Sequence, residues 1–515
     1  MKLSAINAID WYKVSHKEQY PQGTSLVFSN FTPRSDKNIP KSSCWDEKVV
    51  VFGLQGFIKW YLIDLWNETF FQRSKIEVVN EYKRRVEGAL GKGAIEYDHI
   101  EALHDLGYLP IEIKALAEGV RSSIQIPIYT IHNTHPDFFW LTNYLESVMN
   151  AENWKSITAA TIAFQYRQIC EKYAQISCDD NTHITFQCHD FSFRGMSGLY
   201  DTAQSSAGHL LSFTGTDSVL AIDYLDLYYQ GHKSKNIGCS IPASEHSTAT
   251  TNIALGFELL KTTEDKTAIH LSDDEMRAIA EEHFFKAFIT TIYPNGFCSY
   301  VADSFDYWRT ISQTALKFKN EILARDGRVV FRPDSGDPLT LVCGDPNAST
   351  EVERKGSIEV LWDIFGGTIN SKGYKVLDPH VGLIYGDSIT LARAESILEG
   401  LEKKGFASSN IVFGVGSHSY QYVTRDSLGF AVKATAAIVN NKELMVYKSP
   451  KTDKVKKSAK GFLKVIETLS GYALVDEISF AEIEKDNALK TVFKNGELIV
   501  NYSLEEIRNR LLSSL

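Results

Sequence analysis

The sequence predicts an α/β protein: a (β/α) barrel joined to a second, sheet-rich α+β domain formed from both termini. Three observations predict it. Between residues 184 and 417 seven short apolar runs each end in polar or charged residues, with helical segments between several of them. Buried strands alternating with helices indicate a parallel sheet, and seven or eight such strands indicate a closed barrel. Strand-like segments also occupy residues 1–130 and return after Arg425, so the last part of the chain is expected to pack back onto the first. The expected divisions are 1–180, 181–428 for the barrel, and 429–515.

Taken in order, "TSLVFSNF" and "SSIQIPIYTI" alternate or cluster apolar residues in the manner of strands. From 138 to 176 the spacing becomes helical: Leu141, Leu145, Val148 and Met149 share one face, and Ile162, Tyr166, Ile169 and Tyr173 another. The barrel runs follow: "ITFQCHD" (184–190), "LLSFTGTD" (210–217), "GCSIPASEH" (238–246), "FCSYVADS" (297–304), "VVFRPDSGD" (329–337), "GLIYGDS" (382–388) and "NIVFGVGS" (410–417). "DEMRAIAEEHFFKAF" and "ITLARAESILEGLEKK" are intervening helices. "GFAVKATAAIVNN" and "ELMVYKSP" are strand-like, a lysine-rich loop covers 448–461, and "SLEEIRNRLL" carries a capping box from Ser503 to Glu506 and so predicts a helix.

Bulk properties exclude several classes. The 515 residues carry 54 basic and 64 acidic side chains, a formal charge of −10, which argues against non-specific nucleic-acid binding. Seven cysteines are scattered, odd in number and never in a C-x-x-C pair. That argues for a reducing compartment and against a disulfide framework or a zinc site. No run of about 18 apolar residues predicts a membrane span, and the N-terminal "MKLSAINAIDWYK" lacks the apolar core of a signal peptide. A soluble cytoplasmic protein is expected.

The strand ends carry the chemistry. Asp190, Asp217, His246, Asp303, Arg332 with Asp334, and Asp387 each close an apolar run, and in a (β/α) barrel the C-terminal ends of the strands build the active site. Any one of them could be a helix cap or turn residue; as a set they would ring one pocket. Arg332 and Asp334 end a buried strand, where charge is costly unless something pairs with it. Arginine offers a fork for phosphate oxygens, an aspartate two residues on can accept ribose hydroxyls, and "GDS" and "FGVG" place free backbone N–H groups where a phosphate can be cradled. In "ASEHST", a histidine between Glu245 and Ser247 could shuttle protons or attack phosphorus. There is no phosphate-loop signature, no H-E-x-x-H and no G-x-G-x-x-G after a strand.

In order along the chain, "DWYKVSHKEQYP", "HDFSFRG", "FTGTDS", "PASEHST", "VVFRPDSGDP", "YGDSIT" and "VTRDSLGFAVKATAA" closely resemble the nicotinamide phosphoribosyltransferase family, from about residue 10 to about 460. The resemblance implies an irregular α/β barrel beside a sheet-rich domain. It implies an enzyme that joins nicotinamide to 5-phosphoribosyl 1-pyrophosphate, giving nicotinamide mononucleotide and pyrophosphate. Mg2+ as cofactor, ATP as co-substrate through a phosphohistidine, and a homodimer with shared active sites are implied with it. Residue by residue, Phe191 and a partner subunit's Tyr12 would sandwich the pyridine ring, whose product form is cationic and favoured by aromatic faces. Asp217 would accept from the carboxamide N–H and repel nicotinate. Arg332 would serve the base and ribose region. Arg194 and Asp334 would hold the phosphoribosyl group, while Gly386, Asp387, Gly414 and Gly416 would line the ribose and 5′-phosphate site. Arg34, Arg425, Lys433 and Lys448 match residues for the pyrophosphate and nucleotide phosphates, some reaching across the dimer, with Lys456 an addition from the lysine-rich loop. His246 matches the phosphorylated histidine and Asp303 its orienting carboxylate. No side chain is assigned to Mg2+.

Two departures from the family pattern stand out. Ser417 and His418 occupy positions where glycines are usual, so a different path of the 5′-phosphate loop is expected. Ala431 replaces a serine, which puts one phosphate hydrogen bond in question. The alternatives are nicotinate phosphoribosyltransferase, a barrel enzyme for another phosphorylated sugar, and a binding barrel without catalysis. The last would require His246, Asp217, Arg332 or Asp334 to be missing, and all are present.

Overall fold

The computed structural model describes residues 3–264, 270–448 and 459–515. Six short parallel strands form one sheet in the order Gly215–Thr216, Cys188–Asp190, Ile411–Val415, Val381–Tyr385, Val329–Arg332, Cys298–Val301. The segment 239–243 bridges both edges: Cys239 pairs in parallel with Gly215, and Ala243 with Ser299. Cys239 donates to the Thr214 carbonyl at 2.7 Å, and Ser299 donates to that of Pro242 at 2.9 Å. The ring therefore closes on an irregular seventh stave. Pro242 has no N–H to give to a ladder, so this stave touches one neighbour at its start and the other at its end.

Two of the predicted runs are shorter as strands than their apolar residues implied. Ile184–Gln187 is a helical turn, and only Cys188–Asp190 is extended. Of "LLSFTGTD" only Gly215–Thr216 is strand; Leu210, Leu211 and Phe213 are buried in turns. Short apolar runs do not distinguish strand from buried turn. Likewise "SSIQIPIYTI" splits into Arg121–Ser123 and Tyr129–Asn133. Pro127 and the left-handed Gln125 (φ 73°) lie between them and break the ladder.

Strands from both ends of the chain build a seven-stranded antiparallel sheet. Its order is Lys442–Met445, Ala431–Val439, Thr24–Thr32, Tyr129–Asn133, Ile111–Ala115, Lys490–Lys494, Glu497–Leu498. The C-terminal helix Leu504–Leu512 begins with the expected capping box, Ser503 with Glu506.

Between sheet and barrel runs the 32-residue helix Glu146–Ser177, buried on nearly every face, as expected of a helix apolar on more than one side. Its polar side chains serve both neighbours. Asn150 accepts from the Val432 N–H of the sheet at 2.9 Å, and Thr161 from the Val50 N–H at 3.0 Å in the separate pair Lys48–Val50 with Arg121–Ser123. On the barrel side Tyr166 bonds Ser419 at 2.7 Å, and Arg167 donates to the Ser212 carbonyl at 3.1 Å. The helix Leu199–His209 crosses it at Gly208, where a Cβ would lie 2.9 Å from the Ala160 nitrogen. Among the described residues no helix is long and apolar enough to cross a membrane.

Candidate active site

The strand ends converge as the barrel topology requires. A cavity of about 340 Å³ inside the ring is lined by Phe191, Asp217, Ser240 and Arg332, and by His189. Phe191 follows the Cys188–Asp190 strand and sits over two glycines. A Cβ on Gly414 would lie 2.2 Å from its Cδ2, and one on Gly386 would lie 2.7 Å from its Cε2. These glycines, expected to line a phosphate, thus also seat the aromatic ring. Gly414→Ala is expected to destabilise the protein by about 1–3 kcal/mol, the usual cost of overpacking, in denaturant unfolding. Gly416→Ala should be near neutral, because its Cβ would meet only the Phe191 carbonyl oxygen, at 3.8 Å.

Asp217 accepts hydrogen bonds on Oδ1 from His189 Nε2 at 2.9 Å and from Ser240 Oγ at 2.8 Å. Burial pushes its carboxyl up, but His189, Ser240 and the Arg332 charge outweigh burial and hold it below the ordinary aspartate range. It is therefore an anion at neutral pH.

A second group lies beside the first. Arg332 Nε is 3.4 Å from Asp334 Oδ2, and its Nη2 donates to the Ser244 carbonyl at 2.7 Å. Asp303 Oδ2 accepts from the Asp334 N–H at 2.9 Å and the Ser335 hydroxyl at 2.6 Å, tying two strand ends together. His246 begins the 19-residue helix His246–Glu264. Its Nε2 lies 3.6 Å from Asp303 Oδ1 and its Nδ1 3.2 Å from Ser304 Oγ. Burial, with Asp303 and Asp387 nearby, raises the Asp334 carboxyl against the opposing pull of Arg332 and His246. Carboxylates crowded in this way favour a cationic guest.

The third group shapes the loops after Val381–Tyr385 and Ile411–Val415. Asp387 is exposed, and the next residue, Ser388, takes φ 49°, a left-handed conformation uncommon outside glycine. Gly336 of "PDSGD" is left-handed too, at φ 94°, and its carbonyl accepts from Tyr385 Oη at 2.7 Å. Arg194 is exposed on the loop after Phe191. That loop touches the departure from the family pattern: a Cβ on Gly195 would lie 2.4 Å from that of Ser417. Ser417 starts the short helix Ser417–Tyr420, and His418 packs its ring 4.7 Å from that of Tyr422. Ala431 is buried at the start of its strand, opposite Thr32.

The remaining candidates lie elsewhere. Tyr12, Arg34, Arg425, Lys433 and Lys448 are exposed, and none of them lines the barrel cavity. Lys433 and Lys13 both pair with Glu146, and Lys13 lies over the Tyr12 ring. Arg34 donates to the Gly429 carbonyl at 2.7 Å; burial and the neighbouring Arg425 disfavour its charge, with Asp426 opposing. Lys456 lies outside the described residues.

Asp190, one of the strand-end charges, proves structural. It is fully buried, and its carboxylate accepts from the Ser192 N–H and hydroxyl at 3.0 and 2.6 Å and from the Thr216 hydroxyl at 3.2 Å. The turn-residue reading holds for it. Sequence reasoning missed His189 and Ser240. The signal for both was position: each sits near a strand end, one residue from a group already singled out or on the run leading to His246.

Comparison with known proteins follows the same lines. A family model described as the nicotinate phosphoribosyltransferase (NAPRTase) family matches residues 186–497, and one for the nicotinamide phosphoribosyltransferase N-terminal domain matches residues 4–113. A nicotinamide phosphoribosyltransferase of Acinetobacter baylyi is 49% identical over all of this chain and 98% of its own length. One of Mycoplasma genitalium is 33% identical over 91% of this chain and 97% of its own. Among solved structures, human nicotinic acid phosphoribosyltransferase aligns over 98% of this chain and 93% of its own, with TM-score 0.51 and 14% identity. A nicotinate-nucleotide pyrophosphorylase of Pyrococcus furiosus aligns over 99% and 95%, with TM-score 0.52 and 13% identity. These two show a shared fold.

Proposed function

The chain belongs to the nicotinate phosphoribosyltransferase family, and from that premise we propose that it joins nicotinamide to 5-phosphoribosyl 1-pyrophosphate, giving nicotinamide mononucleotide and pyrophosphate in NAD salvage. One observation carries the choice of nicotinamide: the anionic Asp217 faces the same cavity as Phe191. A carboxylate accepts from a carboxamide N–H and repels a carboxylate substrate.

The chemistry asks mainly for placement. The pyridine nitrogen attacks C1 of the ribose as the bond to pyrophosphate breaks, and the electron pair leaves on the pyrophosphate oxygen. Phe191 and Asp217 fix the plane and rotation of the ring, so that its nitrogen points out of the cavity toward the sugar. Arg194 and Asp334 hold the phosphoribosyl group where C1 meets that nitrogen, with Arg332 serving the base and ribose region. The positive charge on the product ring rests against the Phe191 face.

Among the described residues no three or more His, Cys, Asp or Glu side chains form a metal site. Mg2+ is often held by one or two carboxylates together with substrate phosphates, and Asp334, with Asp303 and Asp387 near it, fits that donor set. Asp334 and Asp387 would supply the protein oxygens. When bound, Mg2+ neutralises charge on the departing pyrophosphate.

ATP is proposed as co-substrate, with His246 the group it phosphorylates. The N-terminus of a 19-residue helix would favour an added phosphoryl group through its dipole, and Asp303, with Oδ1 3.6 Å from Nε2, would be the orienting carboxylate. The enzyme is proposed to act as a homodimer. Tyr12 and some of Arg34, Arg425, Lys433 and Lys448 would reach across to complete the partner's site. Seven unpaired cysteines support a cytoplasmic setting.

The test is a competition assay with phosphoribosyl pyrophosphate, Mg2+ and equal nicotinamide and nicotinate, with and without ATP. Nicotinamide mononucleotide is expected to dominate and to rise with ATP. Predominant nicotinate mononucleotide would overturn the base assignment.

A further inference from the structure

Asp217 is held from one side only. Both of its protein hydrogen bonds end on Oδ1, from His189 Nε2 and from Ser240 Oγ, and these two donors lie 3.4 Å apart. Among the described residues no hydrogen bond reaches Oδ2. The three residues come from three neighbouring staves: the Cys188–Asp190 strand, the end of Gly215–Thr216, and the irregular 239–243 segment. An ionised carboxylate only accepts, so the 2.9 Å contact places a proton on Nε2 of His189. The imidazole has little freedom to turn. A Cβ on Gly215 would stand 2.6 Å from its Nδ1, and the Phe191 ring lies edge-on with its centroid 5.2 Å away. His189 is thus wedged between a glycine backbone and the ring seat, with its one short hydrogen bond aimed at Asp217.

We propose that His189 is the positioning residue for amide recognition: its Nε2–H fixes Oδ1 of Asp217, so that Oδ2 faces the carboxamide of the base. This rests on the nicotinamide reading above. Half of the Asp217 side chain is open to solvent (51%), and a carboxylate on a flexible χ2 torsion would otherwise point its oxygens in many directions. Removing the imidazole N–H leaves Ser240 as sole donor, and its hydroxyl can rotate with the carboxylate instead of fixing it. The site then loses orientation toward the amide and part of the stabilisation of its negative charge. Both losses fall on binding of the base and neither on the phosphoribosyl group, which Arg194 and Asp334 handle.

Steady-state kinetics on the full-length enzyme, with nicotinamide, nicotinate and phosphoribosyl pyrophosphate varied in turn, separate these roles. His189→Phe keeps a ring against Gly215 and Phe191 but has no donor. It is expected to raise KM for nicotinamide about tenfold, the order of one hydrogen bond to a charged group. The kcat and the KM for phosphoribosyl pyrophosphate should stay within about threefold, well inside one such interaction, and the preference over nicotinate should narrow. His189→Gln, whose amide N–H reaches the same oxygen, is expected to recover most of the nicotinamide KM. His189→Ala repeats the donor loss without the ring, should the phenylalanine variant fail to fold. An unchanged nicotinamide KM in the donorless variants, a defect confined to kcat, or a glutamine variant no better than alanine would overturn the inference. A wild-type enzyme that makes no nicotinamide mononucleotide would overturn the functional reading beneath it.

Discussion

Asp217→Asn is expected to move the ratio of kcat/KM for nicotinamide over nicotinate toward the acid by about two orders of magnitude. Like charges brought together at a binding site cost several kcal/mol, and the substitution removes that repulsion while keeping a side chain of the same shape. Solvent reaches half of the Asp217 side chain (51%), so screening reduces the effect below the buried-pair limit. Nicotinamide itself should lose less, because the asparagine amide N–H can still donate to the carboxamide oxygen. The assay measures both ratios on purified variant and wild type. An unchanged ratio would mean that the carboxamide lies elsewhere in the 340 Å³ cavity and that Asp217 serves only to hold His189 and Ser240.

His246→Ala is expected to abolish stimulation by ATP while phosphoribosyl transfer continues at a basal rate within about tenfold of the unstimulated wild type. The imidazole lies outside the base cavity lining, and its neighbours are Asp303 and Ser304. Losing it removes a nucleophile toward ATP without touching the ring seat or Asp217. Initial rates with and without ATP, alongside acid-labile phosphate on the protein, check this directly. Equal stimulation in variant and wild type would remove His246 from the ATP step. Loss of the basal rate as well would place it in the transfer itself.

Much of this was legible in the sequence because barrel geometry and chemistry coincide at strand ends. The runs carrying Asp217 and Arg332 do end at the cavity lining, whereas Asp303, Asp334 and Asp387 lie outside that lining, and the helices Asp273–Ala287 and Leu391–Lys403 stand close to where periodicity placed them. What stayed hidden depended on three dimensions. Asp190 has the same sequence context as Asp217, yet one is fully buried among hydroxyls and the other faces the cavity. No local pattern separates them. His189 lies inside a strand, where alternation alone says only that it faces one side; its value emerges when Gly215 and Ser240 arrive from other staves. The glycines after Tyr385 and Phe413 suggested phosphate loops, and no local pattern hints that they also make room for Phe191. The seventh stave was anticipated as a strand, but Pro242 turns it into two single-point attachments.

The helix Glu146–Ser177 bears on how the protein can be dissected. It belongs by chain order to the N-terminal part, yet Tyr166 and Arg167 satisfy groups of the barrel, and Asn150 and Thr161 satisfy groups of the sheet side. A fragment beginning after Ser177 would leave the barrel with bare backbone carbonyls and an uncovered apolar roof. One ending there would leave the helix itself half naked. The catalytic ring is therefore not a portable module: its integrity is inherited from a segment that precedes it, and pieces cut at the apparent seam are expected to recover function only when both are present together.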